Sequence, residues 1–279
     1  MSNTIYPCLW FDGQAKAAAA FYCSIFNNSR ITVDTPIVIN FELSGQKFMG
    51  LNGGPRFKIN PSISFFAVFE TEAETDTVWN KLADGGFVLM PLDKYDWSEK
   101  YGWLQDRFGL SWQIAFGKIQ DVGQQFTPCL MFVGEQHGKA EQAVNFYTSV
   151  FDNSSISGIM HYKAIDGEPE DTVKHAQFNI NEYVMMAMDS SFAHPFTFNE
   201  AISLVVDCQT QEEIDYYWNK LTEGGQESMC GWLRDKFGVW WQIVPTILAK
   251  LMSDPKRAER VSKAFLQMKK FDIEKLMQA

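Results

Sequence analysis

The polar residues best placed to do chemistry in this sequence are two glutamines and one histidine–glutamine pair. Gln113 and Gln242 sit inside identical tripeptides, Trp112-Gln113-Ile114 and Trp241-Gln242-Ile243. Side chains alternate between the two faces of a strand. Trp112 and Ile114 therefore share one face, opposite Ser111, Gln113 and Ala115. Trp241 and Ile243 likewise oppose Trp240, Gln242 and Val244. The same parity over 174–180 sets Ala176, Phe178 and Ile180 against His175, Gln177 and Asn179. The all-apolar faces are expected to pack under helices, and the polar faces to line a concavity. His175 is the candidate acid or base, because its ordinary pKa lies near neutrality. Gln177, Trp240, Gln242, Gln113 and His175 are the candidate contacts to a small aromatic or planar molecule.

Other catalytic patterns are missing. Ser64 and Ser203 lie in apolar strands, and no Gly-x-Ser-x-Gly element occurs. All four histidines, His137, His161, His175 and His194, fall in the second half of the chain. That asymmetry predicts a polar pocket there and scaffolding in the first half. His137 and His194 read as solvated loop residues, Asp189 as a turn residue, and the run Met185-Met186-Ala187-Met188 as adaptable core. Tyr95, Trp97 and Tyr101, in what reads as a loop over 93–102, are apolar enough for a lid or a subunit contact.

The elements that carry these residues occur twice. Gly102-Trp103-Leu104-Gln105-Asp106-Arg107-Phe108-Gly109 returns as Gly231-Trp232-Leu233-Arg234-Asp235-Lys236-Phe237-Gly238. Pro7-Cys8-Leu9-Trp10-Phe11 is answered by Pro128-Cys129-Leu130-Met131-Phe132. The helical face Ala18, Phe21, Tyr22, Ile25 is answered by Ala143, Phe146, Tyr147, Val150, at the i, i+3, i+4, i+7 spacing of an amphipathic helix. Trp79-Asn80-Lys81-Leu82 with Gly85-Gly86 is answered by Trp218-Asn219-Lys220-Leu221 with Gly224-Gly225, the glycines serving as helix stops. Each half reads as β-α-β-β-β written twice. The expected domains are 1–119 and 127–245, joined by a linker over 120–126 and followed by a helical tail over 246–279. In that tail Asp254-Pro255 reads as an N-cap with proline at the first helical position.

Composition bounds the remainder. The chain has 279 residues, 46% of them hydrophobic, which is ample for real cores. Its net charge of -10 argues against a nucleic-acid backbone or an anionic membrane as partner. No apolar run is long enough to span a bilayer, and the stretch 1–7 lacks the pattern of a secretory leader. Five cysteines without a Cys-x-x-Cys pair read as reduced thiols of a cytoplasmic protein.

Pro-Cys-Leu-Trp-Phe-x-Gly, Phe-Tyr-x-x-x-Phe, Trp-Asn-Lys-Leu-x-x-Gly-Gly and Gly-Trp-Leu-x-Asp-x-Phe-Gly-x-x-Trp-Gln-Ile, in that order, resemble one family. The chain resembles PhnB-like proteins, the branch labelled 3-demethylubiquinone-9 3-methyltransferase, within the glyoxalase/bleomycin-resistance or vicinal oxygen chelate superfamily. The resemblance implies an α+β fold of tandem glyoxalase-like domains, each of paired β-α-β-β-β modules whose curved mixed sheets enclose a pocket. It also implies that the second copy supplies the pairing a single-domain relative obtains by dimerising, and it leaves further homodimerisation open. Many superfamily members bind a divalent metal through His, Glu or Gln and use it as a Lewis acid. Here the position of the ligand glutamate reads Gln113 and Gln242, and the strands from Ser62 and Ala201 lack the histidine. A neutral amide is a poor ligand for a hard cation, so the expectation is a metal-free binding protein, with a divalent metal as the alternative. An enzyme is the competing reading, either metal-assisted or a methyltransferase as the label says. For the latter no strand–Gly-x-Gly–helix element is present to hold a methyl donor.

Overall fold

The computed structural model describes residues 4–279, so Met1–Asn3, part of the stretch read for a leader, lie outside the described residues. In chain order the elements are β1 (Ile5–Phe11), α1 (Ala15–Ile25), β2 (Arg30–Asp34), β3 (Val38–Leu43), β4 (Gln46–Asn52), β5 (Ile63–Phe69), α2 (Glu72–Ala83), β6 (Phe87–Tyr95), β7 (Ser98–Gln105) and β8 (Ser111–Phe116). There follow α3 (Ile119–Val122), β9 (Phe126–Phe132), α4 (Ala140–Val150), β10 (Ser155–His161), β11 (Val173–Ile180), β12 (Tyr183–Asp189), β13 (Ile202–Cys208), α5 (Gln211–Thr222), β14 (Gln226–Glu227), β15 (Trp232–Arg234) and β16 (Trp240–Pro245). The tail adds α6 (Ile247–Met252), α7 (Ala258–Phe265) and α8 (Ile273–Gln278).

The chain forms two compact units, Cys8–Ile202 and a second made of the N-terminal residues through Pro7 with Ser203–Ala279. In the larger unit eight strands form one sheet in the order β10-β11-β12-β9-β5-β8-β7-β6. Its middle is the antiparallel pair β5/β9, with Ser64 opposite Cys129 and Phe66 opposite Thr127. The sheet therefore joins the second module of the first repeat to the first module of the second. The same unit holds the order β1-β4-β3-β2. In the smaller unit β14, β15, β16 and β13 pair in that order, with β13 and β16 parallel.

The helices form where the apolar spacing demands. α1 buries Ala15, Ala18, Ala19, Tyr22 and Ile25, and α4 buries Ala140, Ala143, Val144, Tyr147 and Val150. Phe21 and Phe146, placed on those faces by spacing alone, are only half-buried. The Arg107 guanidinium lies over the Phe21 ring, 4.6 Å from its centroid, which suits a ring at the edge of the core. α2 and α5 open on Thr71 and Thr210, whose side chains accept from the Glu74 and Glu213 N–H groups. Between the helices and the sheet Trp112, Phe26, Phe65, Phe69, Phe48 and Phe126 pack with centroid separations of 4.7–6.3 Å among their contacts.

Several elements differ from the sequence expectation. β2 carries little apolar alternation and no buried residue, so periodicity does not mark it. The stretch 93–102 is a β-hairpin whose strands β6 and β7 meet at Asp96-Trp97. In the tail, α6 follows directly on the repeat. Asp254 does not cap α7: its side chain accepts from the Lys256 N–H, and the helix begins at Ala258 behind Arg257. Asp254-Pro255 thus makes a turn ahead of the helix.

The repeated Asp-x-Phe-Gly turn has a clear physical role. Asp106 is 4% exposed, and its carboxylate accepts from the Phe108 N–H at 2.8 Å, the Leu110 N–H at 3.1 Å and the Trp112 indole N–H at 2.9 Å. Asp235, 2% exposed, repeats the arrangement with Phe237, Val239 and Trp241 at 2.8, 3.1 and 2.8 Å. Gly109 and Gly238 adopt φ of +85° and +90°, a conformation costly for other residues. Burial raises the Asp106 pKa, and the hydrogen bonds from Trp112 and from the backbone oppose that rise. Replacing Asp106 by Ala strands three donors in the interior. The expected loss is about 3 kcal/mol or more in urea unfolding, with partial recovery in Asp106→Asn, which keeps one acceptor oxygen.

Candidate functional site

Cross-strand pairing in the larger unit sorts its eight-stranded sheet into two faces. One row runs Gln177, Met186, Cys129, Ser64, Ser111 and Gln105, each opposite the next on its neighbouring strand. The adjacent row contains Thr127, Phe66, Gln113, Trp103 and Met90. The opposite face presents Phe65, Trp112 and Ile114, all 0% exposed, to the core. Trp112, bound to Asp106, turns its neighbour Gln113 to the other face of the sheet.

At the middle of that face lies a buried polar relay. The Tyr101 hydroxyl donates to Gln113 Oε1 at 2.8 Å, and Gln113 Nε2 donates to Ser64 Oγ at 2.7 Å. Cys129 lies opposite Ser64, and burial pushes its thiol up to about 12 against a lowering by the Gln113 amide. Burial likewise raises the Tyr101 phenol far above its ordinary value. Beside the relay Trp103 Nε1 donates to Ser111 Oγ at 2.7 Å, and the Thr127 hydroxyl is buried without a partner. The hairpin tip supplies rings over Tyr101: Tyr95 and Trp97 stack at 5.0 Å, and both meet Tyr101 edge-on at 5.9 and 6.0 Å.

The expected contacts are distributed as follows. Gln113 is 8% exposed and central to the relay. His175 and Gln177 lie on the same face but on β11, four strands away from β8, about 4.8 Å per strand. Gln177 Nε2 donates to the Val122 carbonyl at 3.2 Å. Trp240 and Gln242 belong to the smaller unit, where Gln242 Nε2 donates to Ser203 Oγ at 2.9 Å. Both glutamines thus bond across to a serine on the neighbouring parallel strand. Ser64, Tyr101 and Cys129 were not among the expected contacts. They emerge only once register sets β5 and β7 beside β8 and β9 beside β5.

The remaining polar residues serve the framework. Asp189, 1% exposed, accepts from the Gly138, Ala140 and Val173 N–H groups at 2.8, 3.3 and 2.9 Å, closing the start of α4. His194, expected to be solvated, is half-buried with Nε2 3.0 Å from Ser190 Oγ, and that hydroxyl donates to Glu168 at 3.2 Å. A hydroxyl has one hydrogen, so His194 Nε2 is the donor in this pair and does not act as a base toward Ser190. His137, also expected to be solvated, is half-buried with Nε2 lacking a partner. Among the described residues no three His, Cys, Asp or Glu side chains gather as a metal-binding group.

Tandem βαβββ modules whose strands form curved eight-stranded sheets define a glyoxalase-like protein of the vicinal oxygen chelate fold. The chain belongs to the 3-demethylubiquinone-9 3-methyltransferase family, whose model it matches over residues 3–115 and 124–244. It is similar to a Bacillus cereus PhnB protein, 38% identical over 39% of this chain and 96% of that one, with a TM-score of 0.38. Glyoxalase I from Zea mays has the fold at a TM-score of 0.58 with 10% identity, covering 91% of this chain and 97% of that one. A Bacillus subtilis protein considered a dioxygenase has a TM-score of 0.52 with 9% identity, covering 86% and 84%. No curated protein matches the chain.

His175 is exposed at its edge, yet the protein around its ring disfavours the charged form and lowers its pKa from 6.5. As pH falls the unfolded chain takes this proton first. The contribution to stability is therefore present above 6.5 and lost as pH drops toward the folded-state midpoint. An NMR titration of the His175 ring is expected to give a midpoint below 6.5, and His175→Gln to remove its share of the stability loss in that window.

Proposed function

We propose that the concave face of the larger unit binds a small planar molecule without a metal. The observation that carries this reading is the Tyr101–Gln113–Ser64 relay, buried among Phe66, Trp103 and Met186 and roofed by the Tyr95–Trp97 stack. Aromatic and thioether groups supply adaptable contact area, and a few fixed polar atoms orient what they hold. Trp240 with Gln242 offers a comparable surface in the smaller unit, and His175 with Gln177 extends the first face outward.

The donor set does not fit a divalent metal. Amide oxygen, hydroxyl and a thiol held protonated replace the carboxylate and imidazole such ions need. An enzyme remains the competing reading, since the family carries a methyltransferase label. The absence of a strand–Gly-x-Gly–helix element from the sequence favours binding over methyl transfer. A cytoplasmic, reduced setting accords with the cysteines, all of which are free thiols. No helix among the described residues is long and apolar enough to cross a membrane.

Native mass spectrometry of the purified chain, with and without chelator, tests the proposal. The expected result is a metal-free chain with saturable one-to-one binding of the uncharged planar dye Nile red. Trp97→Ala, at an exposed position of the hairpin tip, should weaken dye binding roughly five-fold. A stoichiometric divalent ion removed by chelator would overturn the metal-free reading, and turnover lost in Gln113→Ala would favour the enzyme.

A further inference from the structure

We infer that the ligand of this face is an uncharged planar molecule presenting a carbonyl oxygen. The inference rests on the binding reading above and supplies its ligand class.

Charge is the first consideration. Across β12, β9, β5 and β8 the face presents Met186, Cys129, Ser64, Thr127, Phe66 and Gln113, none charged at neutral pH. At the hairpin Lys94 and Glu99 pair at 2.8 Å, so their charges cancel. Beyond β10, burial raises the Tyr162 phenol to about 12, and the charges of Glu168, Asp166 and Asp189 add to the rise. These carboxylates, on a chain of net charge -10, disfavour anions. They offer little to a cation, because each carboxylate is already engaged. Asp189 accepts three backbone N–H groups, Glu168 accepts from Ser190 and Ser191, and Asp166 pairs with Lys174 at 2.6 Å. An ion placed on this floor loses hydration without gaining a partner, a penalty that a neutral isostere avoids.

Hydrogen count sets the polar group. Gln113 accepts from Tyr101 and donates to Ser64, which leaves the Ser64 hydroxyl hydrogen to be given. With the amide turned over, Ser64 donates to it and the Tyr101 hydrogen is the free one. Either way the relay offers one O–H donor, the Thr127 hydroxyl on the same face has no partner, and a carbonyl oxygen is the natural acceptor for such hydroxyls. Trp103, Phe66 and the Tyr95–Trp97 stack make the surroundings aromatic, which favours a flat partner.

Calorimetric titration of the full chain with 2-naphthamide, 2-naphthoate, 2-naphthamidine and naphthalene reads this directly. Naphthamide is expected to bind at least about ten-fold tighter than either charged isostere. Ser64→Ala with Tyr101→Phe should weaken naphthamide about ten-fold and leave naphthalene unchanged. Equal or tighter binding of naphthoate or naphthamidine overturns the ligand class while leaving the binding face standing. Equal weakening of naphthamide and naphthalene in the double variant overturns the carbonyl assignment. Failure of all four compounds to bind overturns the binding reading itself, and this inference with it.

Discussion

The buried carboxylate of Asp106 sets the geometry on which the rest of the larger unit depends. It ties the turn between β7 and β8 to the Trp112 indole, which pins Trp112 to the helix side of the sheet. Strand alternation then leaves Gln113 no choice but the other face. A one-residue slip of β8 would bury the amide in the aromatic core and expose the indole. Asp235 repeats the device for Trp241 and Gln242. The most conspicuous shared motif of the two repeats is thus structural, and its chemical consequence falls on the residue after the tryptophan.

Much of this was legible in the sequence, and for one reason: alternation and helical spacing are local. The faces assigned to 174–180 show in alternating burial, and those of 111–116 in Trp112 packed among core aromatics while Gln113 bonds Tyr101 and Ser64, since alternation depends only on near neighbours. Ser64, Tyr101 and Cys129 could not be gathered the same way. They approach Gln113 through the pairing of β5 with β8 and β9 and of β7 with β8, and register between distant strands leaves no mark within a single strand. β2 was hidden because its residues are largely exposed, so it carries no burial pattern. The hairpin at 96–97 was hidden because it turns on Asp96-Trp97, without the glycine that marks most tight turns.

The histidine asymmetry also reads differently in three dimensions. All four histidines lie in the second half of the sequence, which pointed to that half as the polar one. Yet the larger unit joins modules from both halves in one sheet. Its relay uses Ser64, Tyr101 and Gln113 from the first repeat and Cys129 from the second. A function assigned to one repeat alone would divide this cluster.

What the cluster does chemically follows from its neutrality. A carboxylate at position 113 would carry a charge that Tyr101 and Ser64 could solvate only in part, and a metal or a proton would be drawn to complete it. The amide needs neither: it is satisfied by the two hydroxyls, at 2.8 and 2.7 Å. Its one cost is conformational, since both ends are engaged and the side chain is held rigid. For a binding face that rigidity is useful, because a fixed donor and acceptor lose little freedom when a ligand arrives. Burial keeps the relay uncharged near neutral pH, with Cys129 pushed up to about 12 and the Tyr101 phenol raised as well. The relay is thus a rigid, uncharged set of donors and acceptors on one face of the sheet, joined across three neighbouring strands.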